Sequence, residues 1–243
     1  MKSRSKGYGQ YCPLALAAEL LCKRWTLLVV SRLLDGCATF SEIQKGLPRI
    51  SPSLLSQRLR ELEHAELVLR LSDSQTSDRH HYQLTEAGQS LNDIVDQLAI
   101  WGQHWARDNE MDDLDIEFLA WSMSTRLNPE NLPKGRTVME FEFSGAHSEF
   151  QRFWLVHTDG ETEMCVKHPG FDTDVLVQSD IRRFVETWRG FRDLRTEIAA
   201  GHIRLQGPKS SCRDFPNWLA LSGLAPFERK KPGNECEISK KTG

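Results

Sequence analysis

The stretch from Ser51 to Arg70 restricts the fold more than any other part of this chain. A serine can cap a helix, and the proline at position 52 fits a first helical position, where a missing N–H costs nothing. At 100° per residue, Leu55, Leu59, Leu62 and Ala65 then fall on one side. Ser53, Ser56, Gln57, Arg60 and His64 fall opposite, within a stripe of roughly 100°. The periodicity changes after Ala65. "LVLRL" (67–71) and "HYQLT" (81–85) read as short strands, joined by the polar turn residues of "SDSQTSDRH". A helix with short polar side chains near its start and arginine further on suits close approach to another surface, such as a groove of DNA.

The preceding residues support this reading. "CPLALAAELLCKRWTLLVVSRLLDG" (12–36) reads as two apolar helices broken near Cys22 and Lys23, with Gly36 as the stop. "FSEIQKGLP" (40–48) reads as a short helix capped by Ser41 and ended by Gly46 and Pro48. Three helices followed by a hairpin make a winged helix-turn-helix, and the helix beginning at Ser51 is then the one that enters the major groove. Its DNA-facing residues are expected to be Ser51, Ser53, Ser56, Gln57, Arg58 and Arg60. Arg79, His80 and His81 in the wing are expected near phosphates.

These strings, with "YQLTEAGQSL", resemble the HxlR-type winged-helix regulators, relatives of the MarR regulators, over about residues 11–105. The resemblance implies a homodimeric transcriptional regulator that binds double-stranded operator DNA. One departure is Glu66, in "EHAEL", where the family pattern usually has glycine.

The next helix carries Ala87, Leu91, Ile94, Leu98, Trp101 and Trp105 at spacings of 4, 3, 4, 3 and 4, an a/d seam suited to dimerisation. Cys12, just before Pro13 at a helix start, is a redox candidate, since a helix N-terminus favours the thiolate. Some relatives in the HxlR-type family sense oxidants through a cysteine in this position. The six cysteines form no C-x-x-C pair and resemble no zinc site.

Beyond residue 107 the texture changes. Residues 1–107 hold 13 Lys+Arg against 11 Asp+Glu, and residues 108–243 hold 18 against 23. The halves therefore differ in charge sign, which suggests different partners. "DLDIEFLAWSMSTRL" reads as a connecting helix. "TVMEFEFS", "RFWLVHTDG", "ETEMCVKH" and "DVLVQ" read as four strands, with Met139, Phe141 and Phe143 alternating with Glu140 and Glu142. Asp180 can cap "IRRFVETWRG", and further helices flank the strand "IRLQG". This makes an α+β domain of about 100 residues, large enough for its own core.

The string "DIRRFVETWRGFRDLRTEIAAGHIRLQGPKSSCRDFPNWLALS" is similar to the sterol-carrier-protein-2-like fold found appended to bacterial regulators. That resemblance implies an apolar tunnel for a hydrophobic small-molecule effector. Phe141, Phe143, Trp154, Phe184, Trp188 and Trp218 are its candidate lining.

An enzyme reading has no residues to stand on. "GPKSS" lacks the P-loop spacing, "RDNEMDDLD" lacks the glycine and closing glutamate of an EF-hand, and no carboxylate pair stands out. No cofactor and no metal are expected. Without an apolar span or a secretory signal, the expected location is the cytoplasm, off the membrane.

The expected organisation is a mainly α winged helix-turn-helix domain with its dimerisation helix at 1–107, and a connecting helix and linker at 108–129. An α+β sterol-carrier-protein-2-like domain at 130–228 and a polar tail at 229–243 follow. The alternatives are a regulator whose C-terminal domain is only structural, a thiol redox sensor through Cys12, and a lipid carrier.

Overall fold

The computed structural model describes residues 7–72, 80–146 and 151–230. It divides into two compact units, Met1–Leu98 and Ala99–Gly243.

The first unit contains α1 (Pro13–Leu21), α2 (Thr26–Leu34), α3 (Phe40–Lys45), α4 (Pro52–His64), β1 (Val68–Ser72), β2 (His80–Leu84), α5 (Glu86–Gln89) and the start of α6 (Asn92–Trp105). Each boundary has a local cause. Gly36 takes φ +93° after α2, and the Cys37 N–H returns to the Arg32 carbonyl at 3.0 Å, closing the helix end. The cap of α3 is Thr39, not Ser41. Thr39 has the extended backbone a cap needs, and its hydroxyl accepts from the Glu42 N–H while Glu42 accepts from the Thr39 N–H, a reciprocal pair. Ser41 already lies inside the helix. Ser51 caps α4 by accepting from the Leu54 N–H at 3.3 Å, with Pro52 in the first turn.

After α4, Glu66 sits at φ +58°. The Leu67 N–H reaches the Leu62 carbonyl at 3.0 Å, so the helix ends as a glycine would end it, without the glycine. Val29, Val30, Ile43, Leu55, Leu59 and Leu62 are buried in one core, which holds α2, α3 and α4 together. The β1–β2 pair is antiparallel, from Val68 opposite Leu84 to Ser72 opposite His80. Thr39 forms an additional bridge to His81.

The seam expected on one helix is interrupted at Ser90 and Leu91, between α5 and α6. The Ser90 hydroxyl donates to the Ala87 carbonyl at 2.7 Å, a local bond that competes with helix continuation. Gly88 is needed for another reason. A Cβ there would lie 2.2 Å from the Leu67 carbonyl oxygen, so only glycine lets α5 approach the backbone beside β1.

The second unit contains the end of α6, α7 (Ile116–Ser124), β3 (Thr137–Ser144), β4 (Arg152–Thr158), β5 (Glu161–Cys165), β6 (Val175–Asp180), α8 (Ile181–Trp188), α9 (Leu194–Ala199), β7 (Ile203–Gln206) and α10 (Lys209–Trp218). The sheet has five strands in the order β5-β4-β3-β6-β7. β3 and β6 are parallel, with Met139 opposite Val175, and the other neighbours are antiparallel. Met139, Phe141 and Phe143 share a core with Leu119 and Met123 of α7, Phe184 and Trp188 of α8, and Phe215 and Trp218 of α10. Alternation along β3 sends Val138, Glu140 and Glu142 to the opposite face.

Two boundaries differ from expectation. The division falls between Leu98 and Ala99 rather than at residue 107. Residues 108–129 are not a free connection either: Ile116, Leu119, Ala120 and Met123 of α7 are buried in the second core. Of the expected polar tail, Arg229 bonds Asp108 at 2.9 Å, and residues 231–243 lie outside the described residues.

Candidate nucleic-acid interface

α4 puts its leucines inward and its polar stripe outward. Leu55, Leu59 and Leu62 are at most 1% exposed. Ser51, Ser53, Gln57 and Arg60 are exposed, and Ser56 is half-buried. Ser51 is occupied by its capping role, with Ser53 Oγ 3.2 Å from its hydroxyl.

Arg58 is not available in the way the helical wheel suggests. Its Nε donates to the Arg24 carbonyl at 2.9 Å and its Nη1 to Glu61 at 2.9 Å. The side chain ties α4 to the turn between α1 and α2, where Trp25 takes φ +78°. Glu61 is the centre of this arrangement and was missed in the sequence. One oxygen accepts from Gln57 Nε2 at 3.0 Å, and the other from Arg58 and from Lys23 Nζ at 3.2 Å. Burial pushes the Glu61 carboxyl up, but the hydrogen bonds from Gln57 and Lys23 and the charges of Arg58 and Lys23 hold it below the usual carboxylate range. The signal that could have found it is the four-residue spacing from Gln57, which puts the two side chains in reach on a helix.

In the wing, His80 and His81 are half-buried at the start of β2, and Arg79 lies outside the described residues. The Tyr82 N–H donates to the Ala38 carbonyl at 2.7 Å, fastening this strand to the start of α3. Leu69 and Leu71 on β1 are 48% and 46% exposed, a feature the sequence reading did not single out.

The seam residues divide. Leu91 is buried in the first core. Ala87 is exposed on α5, Ile94, Leu98 and Trp101 are exposed on α6, and Trp105 is half-buried. In the first unit α1 buries no residue, and its Leu14 and Leu16 are exposed. Cys12 is exposed, at the cap position of α1.

In the second unit, five of the six candidate pocket residues sit in one packed core. The rings of Phe141 and Phe143 lie 5.9 and 5.0 Å from that of Phe184, with Phe153 and Phe215 against them, and Trp188 and Trp218 are buried beside them. Trp154 is on the other sheet face, with Val138 and Val156, because it pairs with Glu140 rather than with Phe141. A groove of about 400 Å³ opens elsewhere, lined by Leu194, Pro216, Leu219, Leu221 and Ala225 together with Gly190, Arg192, Asp193 and Arg195. Among the described residues no helix is long and apolar enough to cross a membrane.

Residues 20–110 match the model of the HxlR-like helix-turn-helix family. The chain is 39% identical over 97 residues to the uncharacterised HTH-type transcriptional regulator YvaP of Bacillus subtilis (strain 168), covering 40% of this chain and 90% of that protein. It is 37% identical over 95 residues to the HTH-type transcriptional regulator YodB of the same organism, covering 39% and 85%. A third relative, an uncharacterised HTH-type transcriptional regulator of Methanothermobacter thermautotrophicus, is 35% identical over 99 residues, covering 41% and 76%. These are regulators and not enzymes by name, and each is matched over most of its length. The chain belongs to the HxlR-like helix-turn-helix family of transcriptional regulators.

Proposed function

We propose that this regulator works as a homodimer in which α4 reads operator DNA from the major groove. The observation that carries the proposal is the exposed row of Ser53, Gln57 and Arg60 opposite leucines that are fully buried. Gln can pair with adenine and Arg with guanine, each worth about 1–3 kcal/mol of discrimination. The wing supplies contacts to the phosphate backbone, with Arg79, His80 and His81 as its candidate residues. Exposed apolar side chains on α1 and α6 supply the dimer contact, which sets two reading helices about 34–36 Å apart.

The C-terminal unit, which resembles the sterol-carrier-protein-2-like fold, is proposed to bind an apolar effector with an acidic head. The groove whose lining includes Arg192 and Arg195, with Asp193 between them in sequence, is the space that favours this reading. The packing of Phe141, Phe143 and Phe184 favours a second reading, in which that unit is structural only.

Titrating selected duplex DNA at several salt concentrations tests the first proposal. Arg60→Ala is expected to lose affinity for the selected site while its unfolding is unchanged; binding equal to the unsubstituted protein overturns it. For the effector, a fluorescent fatty acid is the probe. Saturable binding that Leu221→Arg abolishes, with unfolding unchanged, supports the groove, and absence of binding leaves the structural reading.

A further inference from the structure

We propose that Glu61 is a positioning residue for base recognition: it fixes the orientation of the Gln57 amide so that Gln57 selects adenine. The inference rests on the proposed reading role of α4 and deepens it. A glutamine amide has one carbonyl oxygen and two N–H donors, and a free side chain on a helix surface presents them in either order. Here the Nε2 of Gln57 lies 3.0 Å from Glu61 Oε1. One N–H is therefore spent within the helix. The carbonyl oxygen and the second N–H remain, and their order along the groove is set. An acceptor beside a donor is the complement of the N6 amino group and N7 of adenine in the major groove.

Glu61 is itself held. Lys23 and Arg58 both donate to its other oxygen, and Arg58 is anchored on the Arg24 carbonyl. The carboxylate thus belongs to a frame that joins α4 to the turn before α2, while Gln57 points outward from that frame and is exposed. Both Glu61 oxygens are occupied from within the protein, so the carboxylate has no need of a cytosine amino group as partner. An orienting anchor also lowers the freedom Gln57 loses on binding.

The test is selection of duplexes from a random pool by the full chain, followed by affinity measurements on duplexes changed one base pair at a time. Gln57→Ala is expected to relax one A·T position. Glu61→Ala is expected to relax that same position by about fivefold, the lower end of what one base contact contributes. Glu61→Gln retains an oxygen acceptor and should restore selectivity at that position to within about twofold, whatever its removed charge does to overall affinity. Adding Glu61→Ala to Gln57→Ala should change that position no further. Should Glu61→Ala fail to fold by circular dichroism, Glu61→Met, of similar length but without a strong acceptor, takes its place with the same expectation.

Glu61→Ala overturns the inference if it leaves the Gln57 position unchanged, or if it relaxes a base pair that Gln57→Ala does not touch. Relaxation at no position by Gln57→Ala also overturns it. An unsubstituted protein that enriches no sequence overturns the reading role of α4 as well, a failure distinct from the others.

Discussion

Arg189 donates twice to the side-chain oxygen of Gln103, from Nε at 3.1 Å and from Nη2 at 2.8 Å. The same Gln103 side chain, only 1% exposed, turns its Nε2 toward the carbonyls of Arg189, Leu224 and Phe227. Burial and the nearby Arg229 charge lower the pKa of Arg189, and Asp108 opposes them. Gln103→Ala leaves a half-buried guanidinium and three carbonyls short of a partner. It is expected to destabilise the second unit by about 2–4 kcal/mol, read as a lower urea midpoint.

Glu66 offers the opposite sign. A side chain at φ +58° costs about 1 kcal/mol that glycine does not pay. Glu66→Gly is expected to raise stability by about 0.5–1 kcal/mol, since part of the gain is returned as unfolded-chain entropy. A midpoint shifted upward at unchanged denaturant slope supports this, and a downward shift refutes it.

Glu197 should make the second unit sensitive to acid. It is 6% exposed and ion-paired with Arg183 and Arg192. The hydrogen bond from Arg183 is the main cause that holds its carboxyl below the usual range, against the opposing effect of burial. A depressed pKa in the folded state means the stabilisation is complete above the unfolded carboxylate value of about 4.3, and is lost as pH falls through the folded value. Glu197→Gln is expected to lower the melting temperature at pH 7, with the gap from the unsubstituted protein closing toward pH 3. A gap that does not change with pH refutes the assignment.

Leu98 is 49% exposed on α6 and Leu14 is 76% exposed on α1. Leu98→Glu, and separately Leu14→Glu, should convert a dimer into monomers by light scattering without a change in the circular dichroism spectrum. Dimer mass retained by both variants argues that these side chains serve another surface.

Where a signal was local, it was legible. Ser51 and Pro52 announced α4 because capping needs only the next three residues, and Gly36 announced the end of α2 for the same reason. Thr39 and Ser41 are both hydroxyl residues near a helix start, and only the backbone angle separates them. The break after α5 is hidden by an apolar spacing that continues across it, and the local bond from Ser90 to the Ala87 carbonyl leaves no mark in that spacing. Alternation put Phe141 and Phe143 on one face, but the face of Trp154 depends on its register against Glu140, which composition does not encode. The partner of Arg58, the Arg24 carbonyl, is 34 residues away, and a helical wheel shows no neighbouring turn.

The central pair of the five-stranded sheet has a consequence for how the chain is made. Met139 meets Val175 in parallel, and β7 must then add beside β6 before the edge is complete. In the first unit, β1 and β2 are consecutive antiparallel partners and α2, α3 and α4 pack on one another in order. Short-range closure is fast and distant parallel pairing is slow. On a translating ribosome, the half that carries α4 is therefore expected to reach its final form while the strands of the other half are still emerging. A nascent chain stalled after residue 130 should already protect Leu55 and Leu59 from hydrogen exchange.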